Sequence, residues 1–451
     1  MGINPRRRRL THAWAAAFTA VCCLALTACG GSSQKRAEQP KDLNTPAKKE
    51  GHLVFLEKWP DPQYAPFFKK VVADYEAANP GVTIDLQAVG DQPYKDKIRV
   101  LTSAHQLPDI YFSWAGDFTG KFVRAGLATD LSSVIGPSTE WGKTFGGPAL
   151  QAFTYEGKQY GVPIDLDAKV FAYSKSAFAK AGIERPATFE ALLTGCDRLK
   201  TAGYTPIAFG NQFGWPAIHY ITQLNAQEVP RAVRERDNDP KTGAFTDPGY
   251  VKALQDFQQL HQRCLTQKAN GISHESAQAT MQQGSAAAQY VETAEFPLLS
   301  AQGVPAAFAE DWSFFRMPPI AGAPGDQEEL AGAPDGLIVN PGSKNAALAV
   351  DFLKFFTNQV NAQQMTRQLG WLSPVLGSTT PENSTQQNRE ALELITKSPA
   401  FAGWLDAVTH TEVANAYLAG VQGLLDGSST PQGVMKSVQA AARKAKQEVS
   451  G

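Results

Sequence analysis

The sequence contains few of the patterns that mark enzymes. Its seven histidines are scattered, without a His-Glu-x-x-His pair, and no Cys-x-x-Cys motif occurs. A Gly-x-Ser-x-Gly nucleophile turn and a phosphate-binding glycine loop are also missing. These absences disfavour metal, thiol, serine-nucleophile and nucleotide chemistry. We therefore expect no catalytic residues, no metal and no cofactor.

The chain also lacks a strong charge of either sign. It has 42 Lys and Arg against 43 Asp and Glu, which gives a formal net charge of −1. Such a balance gives no electrostatic reason for nucleic acid as a partner. The composition, 43% hydrophobic and 19% charged, is typical of a globular protein of two or three domain-sized units.

The N-terminal segment has the three parts of an export signal. Arg6–Arg9 form a positive region, and an apolar run over 13–26 follows. That run is shorter than the roughly 20 residues of a membrane-spanning helix. The next residues, Leu26-Thr27-Ala28-Cys29, resemble the bacterial lipobox, which implies removal of residues 1–28 and a lipid on Cys29. The arginine run leaves the Sec and twin-Arg export routes both open.

Residues 29–50 are polar and rich in Gly, Ser and Lys. They show no apolar periodicity, so we expect a flexible tether between the lipid and a folded region. The protein would then be exported and anchored to the outer face of the cell membrane.

Few cysteines remain in the predicted mature chain. Cys22 and Cys23 leave with the signal and Cys29 carries the lipid, so only Cys196 and Cys264 remain. An even pair in an exported protein favours a disulfide. The alternative is two buried, unpaired core thiols.

Strand and helix patterns alternate from Leu53 onward. The pattern predicts strands over 53–56, 82–88 and 108–112, with a helix that starts near Pro66 and a second over 94–104. The first helix must stop before Pro80. A β-α-β-α-β order predicts an α/β domain with a mostly parallel sheet.

The rest of the chain reads as mainly helical. A strand is expected at Gly336–Val339, followed by a helix that Ser343 would cap. A further helix is expected over Val434–Lys446. Trp404 is expected in mid-helix with Phe401 and Leu405 nearby, which favours core packing over a binding role.

Several segments, in this order, resemble the sugar-binding branch of the extracellular solute-binding proteins of ABC importers. The segments are Asn79-Pro80-Gly81-Val82-Thr83-Ile84, Leu107-Pro108-Asp109-Ile110, Ala125-Gly126-Leu127-Ala128-Thr129-Asp130-Leu131, Tyr155-Glu156-Gly157-Lys158-Gln159-Tyr160-Gly161-Val162-Pro163, Ala172-Tyr173-Ser174-Lys175, Lys180-Ala181-Gly182-Ile183, Thr188-Phe189-Glu190-Ala191-Leu192, and Ser343-Lys344-Asn345 through Phe356. The chain departs from the family pattern at Ser174 and over 283–287.

The resemblance implies an α/β protein with the type II two-lobe fold of periplasmic binding proteins, in which hinge strands join the lobes beside an interlobe cleft. The N-terminal lobe would comprise residues 51–164 and 333–372, and the C-terminal lobe residues 165–332 and 373–451. The family's function implies a monomeric receptor that captures a di- or oligosaccharide and delivers it to the membrane subunits of an ABC permease. Closure of such a cleft is a hinge motion.

Two other functions remain open from the sequence. An exported carbohydrate-active enzyme would use a carboxylate pair, and Asp165 with Asp167 is the candidate. Their i,i+2 spacing is better explained by one binding and one solvated carboxylate. A lipoprotein sensor or adhesin with the same fold is the other alternative.

A sugar site needs flat aromatic surfaces and fixed hydrogen-bonding groups. The candidates lie where strands or loops end, because ligands of α/β folds meet the carboxyl ends of strands. The predicted ligand-binding residues are Trp59, Trp114, Asp117, Asp165, Trp215, Glu292, Asp335 and Trp371.

Overall fold

A computed structural model describes residues 38–45 and 47–450 of the 451-residue chain. The predicted signal over 1–28 and the predicted lipid site Cys29 lie outside the described residues. Among the residues described, no helix combines the length and the apolar character needed to cross a membrane.

The strands form two main sheets and one small hairpin. In chain order they are β1 (Glu50–Glu57), β2 (Gly81–Ala88), β3 (Ile110–Trp114), β4 (Thr154–Tyr155), β5 (Lys158–Gln159), β6 (Gly161–Pro163), β7 (Asp167–Ser174), β8 (Thr205–Ala208), β9 (Ala286–Glu292), β10 (Trp312–Phe315), β11 (Leu330–Ala333), β12 (Asp335–Val339) and β13 (Phe401–Ala402).

The α-helices surround these sheets. In chain order they are α1 (Ala65–Ala78), α2 (Asp91–Ser103), α3 (Asp117–Arg124), α4 (Ser132–Ile135), α5 (Gly147–Gln151), α6 (Lys175–Lys180), α7 (Phe189–Thr201), α8 (Trp215–Glu228), α9 (Arg231–Asn238), α10 (Pro248–Arg263), α11 (His274–Gln282), α12 (Ala306–Ala309), α13 (Ala346–Phe356), α14 (Gln359–Leu369), α15 (Gln386–Lys397), α16 (Leu405–Val408), α17 (Thr411–Asp426) and α18 (Pro431–Ser450). Short 3₁₀ helices span Gly142–Thr144, Ala269–Gly271 and Thr293–Ser300.

The first lobe is built on a sheet of order β2-β1-β3-β12-β6. β1 pairs in parallel with β2 and β3, whereas β12 runs antiparallel to β3 and β6. The predicted β-α-β-α-β start is confirmed, since α1 and α2 connect the three parallel strands. Pro66 stands in the first turn of α1, and the helix ends at Ala78, ahead of Pro80.

The second lobe is built on a sheet of order β13-β11-β7-β9-β8, with β10 also paired to β7. The strand β7 is buried along its whole length. Each lobe therefore has its own apolar core, one around β1 and β3 and the other around β7, α8 and α10.

The chain crosses between the lobes three times. The crossings lie between β6 and β7, between β11 and β12, and after α14. The amide of Ile164 donates to the carbonyl of Asp335 over 2.9 Å, and the amide of Leu166 donates to the carbonyl of Leu372 over 2.7 Å. The three crossings are thus bonded to one another beneath the space between the lobes.

The start of one helix differs from the sequence-based expectation. The helix α13 has Asn345 as its N-cap, so the prediction of Ser343 as the cap is wrong. The Ser343 hydroxyl instead accepts the Asn345 amide over 3.0 Å. Val375, which lies just after the last crossing, pairs with Phe145 of the first lobe.

Part of the predicted tether is packed against the first lobe. The Gln39 amide group donates to the Ala128 carbonyl over 3.2 Å, and its oxygen accepts the Asp130 amide over 2.8 Å. Leu43 is buried in the core of this lobe. The stretch that can act as a free tether therefore ends before Gln39.

The two cysteines within the folded region form a disulfide. Cys196 lies on α7 and Cys264 directly follows α10, and the bond joins positions 68 residues apart. Both side chains are buried in the core of the second lobe. The bond therefore ties together two helices of one lobe and leaves the lobes free to move relative to each other.

Candidate functional site

A cleft lies between the two lobes, over the three crossings. Its cavity volume is about 1480 Å³, larger than the roughly 300–1,000 Å³ of a pocket for a drug-sized molecule. Trp114 and Glu292, which end β3 and β9, line it, as does Asp335, which begins β12 opposite Trp114. The cavity thus occupies the strand edges at which α/β folds bind ligands.

Aromatic side chains form the wall on the first lobe. The ring of Trp371 lies 4.8 Å from the ring of Trp59 and 5.2 Å from that of Tyr64. Trp371 is 1% exposed and Trp59 is 8% exposed. Most of their surface is therefore already packed against neighbours, and each offers only part of a ring to the cavity.

The wall on the second lobe presents a more accessible ring. Trp215 begins α8 and is half-buried, with its ring 5.1 Å from His219 and 4.8 Å from His274. The preceding Gly214 has a φ of +79°, a conformation that glycine adopts without strain. Trp215 thus offers a flat apolar surface to a ligand.

Lys58 is the charged centre of the first wall. Its ammonium lies 3.2 Å from Asp335 and 3.6 Å from Asp91, and it stands 4.9 Å from the centre of the Trp114 ring. Burial opposes the charged form, but the carboxylates of Asp335 and Asp91 outweigh it and hold the pKa of Lys58 above its usual value. Lys58 is therefore protonated throughout the physiological range.

Lys169 lies behind the second wall and does not itself line the cavity. Its ammonium lies 3.4 Å from Glu292 and 3.6 Å from Glu295. The ring of His219 also approaches Glu292, with Nδ1 3.3 Å from the carboxylate. Burial would raise the pKa of Glu292, but Lys169 and then His219 dominate and hold it well below the usual range. Glu292 is thus an ionised acceptor at the cavity surface.

Three carboxyl groups cluster at the crossings. Asp165 accepts the amide of Asp335 over 2.9 Å, while Asp167 accepts the Thr293 hydroxyl over 2.8 Å. Burial, followed by the negative charge of nearby carboxylates, raises the pKa of Asp165 and of Asp167 well above the usual value. Burial likewise raises the pKa of Asp335 to about 6, against the opposing charge of Lys58.

The cavity contains six of the eight predicted ligand-binding residues: Trp59, Trp114, Trp215, Glu292, Asp335 and Trp371. Two others do not line it. Asp117 begins α3 and forms an ion pair of 2.5 Å with Arg124, because the helix turns its carboxylate toward its own last turn. Asp165 points into the crossings, where it accepts the Asp335 amide.

Several cavity residues were not predicted from the sequence. They are Lys58, Tyr64, Lys95, His219, His274 and Glu295. Lys58 directly follows β1, so its position at a strand end could have marked it as a candidate. Lys95 lies within α2, one turn after Asp91, and no strand end marks it.

Trp404 corrects a further prediction. It does not lie within a helix but caps the short helix α16, and its ring stacks on His219 at 4.3 Å. Trp404 is 4% exposed, so it is packed, yet its edge lines the cavity. A single tryptophan here serves both the core and the cleft wall.

Glu57 is a buried acid directly behind the first wall. Its carboxylate accepts the amide of Trp59, two residues along the chain. Burial is the largest influence on it and raises its pKa to about 7, while the Trp59 amide acts in the opposite direction. Glu57 does not line the cavity, and its link to the wall is its hydrogen bond from the backbone amide of Trp59.

No group of three or more side chains suited to hold a metal occurs in the described part of the chain. Asp165 and Asp167, the candidate glycosidase pair, do not both face the cavity, since only Asp167 lines it. The arrangement offers rings, fixed charges and acceptors, which suit binding through hydrogen bonds and stacking.

Comparisons with known proteins agree with this geometry. The family model for bacterial extracellular solute-binding proteins matches residues 60–363. A maltotriose-binding protein of Pyrococcus abyssi is 24% identical, over 80% of this chain and 73% of its own. The diacetylchitobiose binding protein of Streptomyces coelicolor is 26% identical, over 58% of this chain and 59% of its own. A solved chitin oligosaccharide binding protein superimposes with a TM-score of 0.80 at 22% identity, covering 89% of this chain and all of that chain.

Proposed function

Since the chain belongs to the bacterial extracellular solute-binding protein family, whose members are binding proteins of ABC importers and not enzymes, we propose that it captures a di- or oligosaccharide in the interlobe cleft. The observation that carries the proposal is the pairing of aromatic and charged walls across one cavity. Trp59 and Trp371 stand on one side and Trp215 on the other, with Asp335 and Glu292 beside them.

Sugar rings match this arrangement. Their C–H faces stack on flat aromatic surfaces, and their hydroxyl edges need acceptors and donors fixed in place. Hydrogen bonds to charged groups contribute about 1.5–3 kcal/mol each. The carboxylates of Glu292 and Asp335 are held by Lys169 and Lys58, so they meet a ligand without first being reordered. A cavity of about 1480 Å³ has room for more than one sugar ring.

A ligand screen with one matched pair of variants tests the proposal. An oligosaccharide that the protein binds should raise its melting temperature, since a ligand at 100 times its Kd adds about 2.7 kcal/mol of stability. Trp215→Ala should weaken binding about ten- to a hundredfold by removing the stacking surface, with little loss of stability because Trp215 is half-buried.

Trp141→Ala is the matched control, because Trp141 is partly buried in the first lobe but does not line the cavity. Maltotriose, diacetylchitobiose and xylo-oligosaccharides form the sugar arm, and amino acids and polyols form the other. A melting shift with amino acids or polyols and none with any sugar would overturn the proposal.

We further propose that the receptor is a lipoprotein that passes its ligand to an ABC permease. The family match supports the permease as a partner, and the export signal with its lipobox supports the anchor on Cys29. Gln39 contacts the first lobe, so the free leash would be residues 30–38. Such a leash reaches at most about 30 Å, which keeps the receptor concentrated near a membrane permease.

Replacement of the lipidated cysteine tests the anchor separately. Cys29→Ala should move the protein from the membrane fraction to the soluble exported fraction, because one residue carries the acyl chains. Its ligand affinity should match that of the wild type, since Cys29 precedes every described residue of the cleft. Fractionation and a ligand-uptake assay in the same cells are the measurements. Membrane association that survives the substitution would contradict the anchor.

A further inference from the structure

Lys169 is a buried cation that does not line the cavity. It lies on β7 directly opposite Glu292 of β9, and its side chain is 1% exposed. Its ammonium makes no hydrogen bond to any described residue, although it lies 3.4 Å from Glu292 and 3.6 Å from Glu295. Burying an ammonium without hydrogen bonds is costly, so its neighbours must supply the compensation.

Those neighbours belong to the ligand-facing wall. The ammonium stands 5.1 Å from the centre of the Trp215 ring, within the range of a cation–π contact. Glu292 and Glu295 form a reciprocal capping box at the start of the 3₁₀ helix Thr293–Ser300. The ammonium of Lys169 therefore lies next to three groups of the second wall, which are the carboxylates of Glu292 and Glu295 and the ring of Trp215.

We propose that Lys169 is a positioning residue of the ligand site, which holds the carboxylate of Glu292 at the surface of the cleft and fixes the ring of Trp215. It acts through these two residues and does not touch the ligand. The inference rests on the proposed binding of a sugar in this cleft.

A lysine that served only to join β7 to β9 would be an inefficient choice. Replacing a buried ion pair by apolar side chains of similar volume is often neutral or stabilising. What an apolar residue would not supply is a positive charge beside Glu292. Lys169 also has the largest effect of the positive charges that hold the pKa of Glu292 below its usual value.

Other charges surround Glu292 and belong in any account of its titration. They come from every element packed around the cleft floor: Lys58 after β1, Asp165 between β6 and β7, Asp167 on β7, His219 on α8, Glu295 in the 3₁₀ helix, and Asp335 on β12. The negative charge of Glu292 raises the pKa of Asp165, Asp167 and Asp335, whereas Lys169, His219 and Lys58 lower the pKa of Glu292 itself. Removing the charge of Lys169 should therefore move the pKa of Glu292 upward.

The experiment compares Lys169→Met, Lys169→Arg, Glu292→Gln and the Met/Gln double variant. Sugar affinity is measured by calorimetry from about pH 5 to about pH 8, with the oligosaccharide that binds best to the wild type. Lys169→Met should weaken binding about tenfold or more at pH 7, because the Glu292 carboxylate and the Trp215 ring lose the charge that positions them. Its affinity should also fall further with acid than that of the wild type.

The sign follows from the acceptor. A Glu292 carboxyl with a raised pKa takes up its proton at a higher pH and then loses an acceptor, so binding declines as pH falls through that value. Lys169→Arg keeps the charge and should restore most of the affinity. When Lys169→Met is added to Glu292→Gln, the pH dependence of sugar affinity should change little further. Equal affinities and parallel pH profiles for wild type and Lys169→Met would overturn the inference.

NMR titration of the Glu292 carboxyl in the ligand-free protein keeps the inference separate from the proposed function. A higher pKa in Lys169→Met than in the wild type supports the role of Lys169 even where no sugar binds. An unchanged pKa rejects it. Wild-type protein that binds no sugar rejects the proposed function alone.

Discussion

Trp371→Ala is expected to lower the free energy of unfolding by about 3–5 kcal/mol. The ring is 1% exposed and packs against Trp59 at 4.8 Å and Tyr64 at 5.2 Å, so its removal leaves a cavity that the first lobe cannot easily fill. Urea unfolding followed by circular dichroism measures the change. Ligand affinity should fall as well, since Trp59 and Tyr64 would lose their support.

Trp371→Phe is the matched control. The indole nitrogen of Trp371 makes no hydrogen bond to any residue that the structure describes, so Phe sacrifices volume but no polar partner. It should lose much less stability than Ala does. If Trp371→Ala unfolded at the wild-type urea concentration and lost only affinity, Trp371 would be a ligand platform and not a packing residue.

The second large effect concerns the disulfide. Replacing both Cys196 and Cys264 by Ala should cost about 4 kcal/mol, because the bond closes a loop of 68 residues and restricts the unfolded chain. The loss should fall on the second lobe, whose core contains both side chains. Thermal unfolding of the double variant, with and without saturating ligand, gives the measurement.

Chemical labelling checks the premise of that prediction. In the unfolded, unreduced protein, a thiol reagent should label neither cysteine, and peptide mass spectrometry should recover the linked pair. The wild type treated with reductant should approach the stability of the double variant. Two labelled thiols without reductant would restore the alternative of unpaired core cysteines.

Local chemistry predicted most of the first lobe. The apolar run at Leu53 predicts a strand, which the structure has. Pro66 and Pro80 mark the start and the end of the first helix, in agreement with its apolar periodicity. The prediction that Ser343 caps α13 was wrong for a physical reason. The Ser343 hydroxyl does accept an amide, but that amide belongs to Asn345, two residues further on and still ahead of the helix, so Asn345 is the N-cap.

The cleft was harder to predict from the sequence because it is made by pairing distant segments. Tryptophans after strand ends, such as Trp59 and Trp114, are visible as candidates, since strand ends share one edge. Asp117 also follows a strand end, yet its carboxylate pairs with Arg124, the last residue of the same helix α3. Whether a carboxylate faces a ligand or its own helix depends on rotamers that no sequence period records.

The buried lysines illustrate the same limit. In the sequence, Lys169 is a polar residue within a predicted strand. No local pattern indicates Glu292 as its partner, because Glu292 lies more than a hundred residues away. Only the antiparallel register of β7 and β9 places the two opposite each other. Charge pairs that depend on long-range register are therefore the part of a site that pattern reasoning reaches last.

The threefold crossing has a consequence for how the molecule is made. β12 lies between β3 and β6, yet it is translated only after almost the whole of the second sheet. A nascent chain that has emerged as far as Pro163 carries β3 with one edge bare, and bare strand edges invite wrong pairing. Order of synthesis and order of assembly therefore differ. The chain up to Pro163 must therefore avoid pairing with other chains until residues 335–339 are synthesised and β12 covers the free edge of β3.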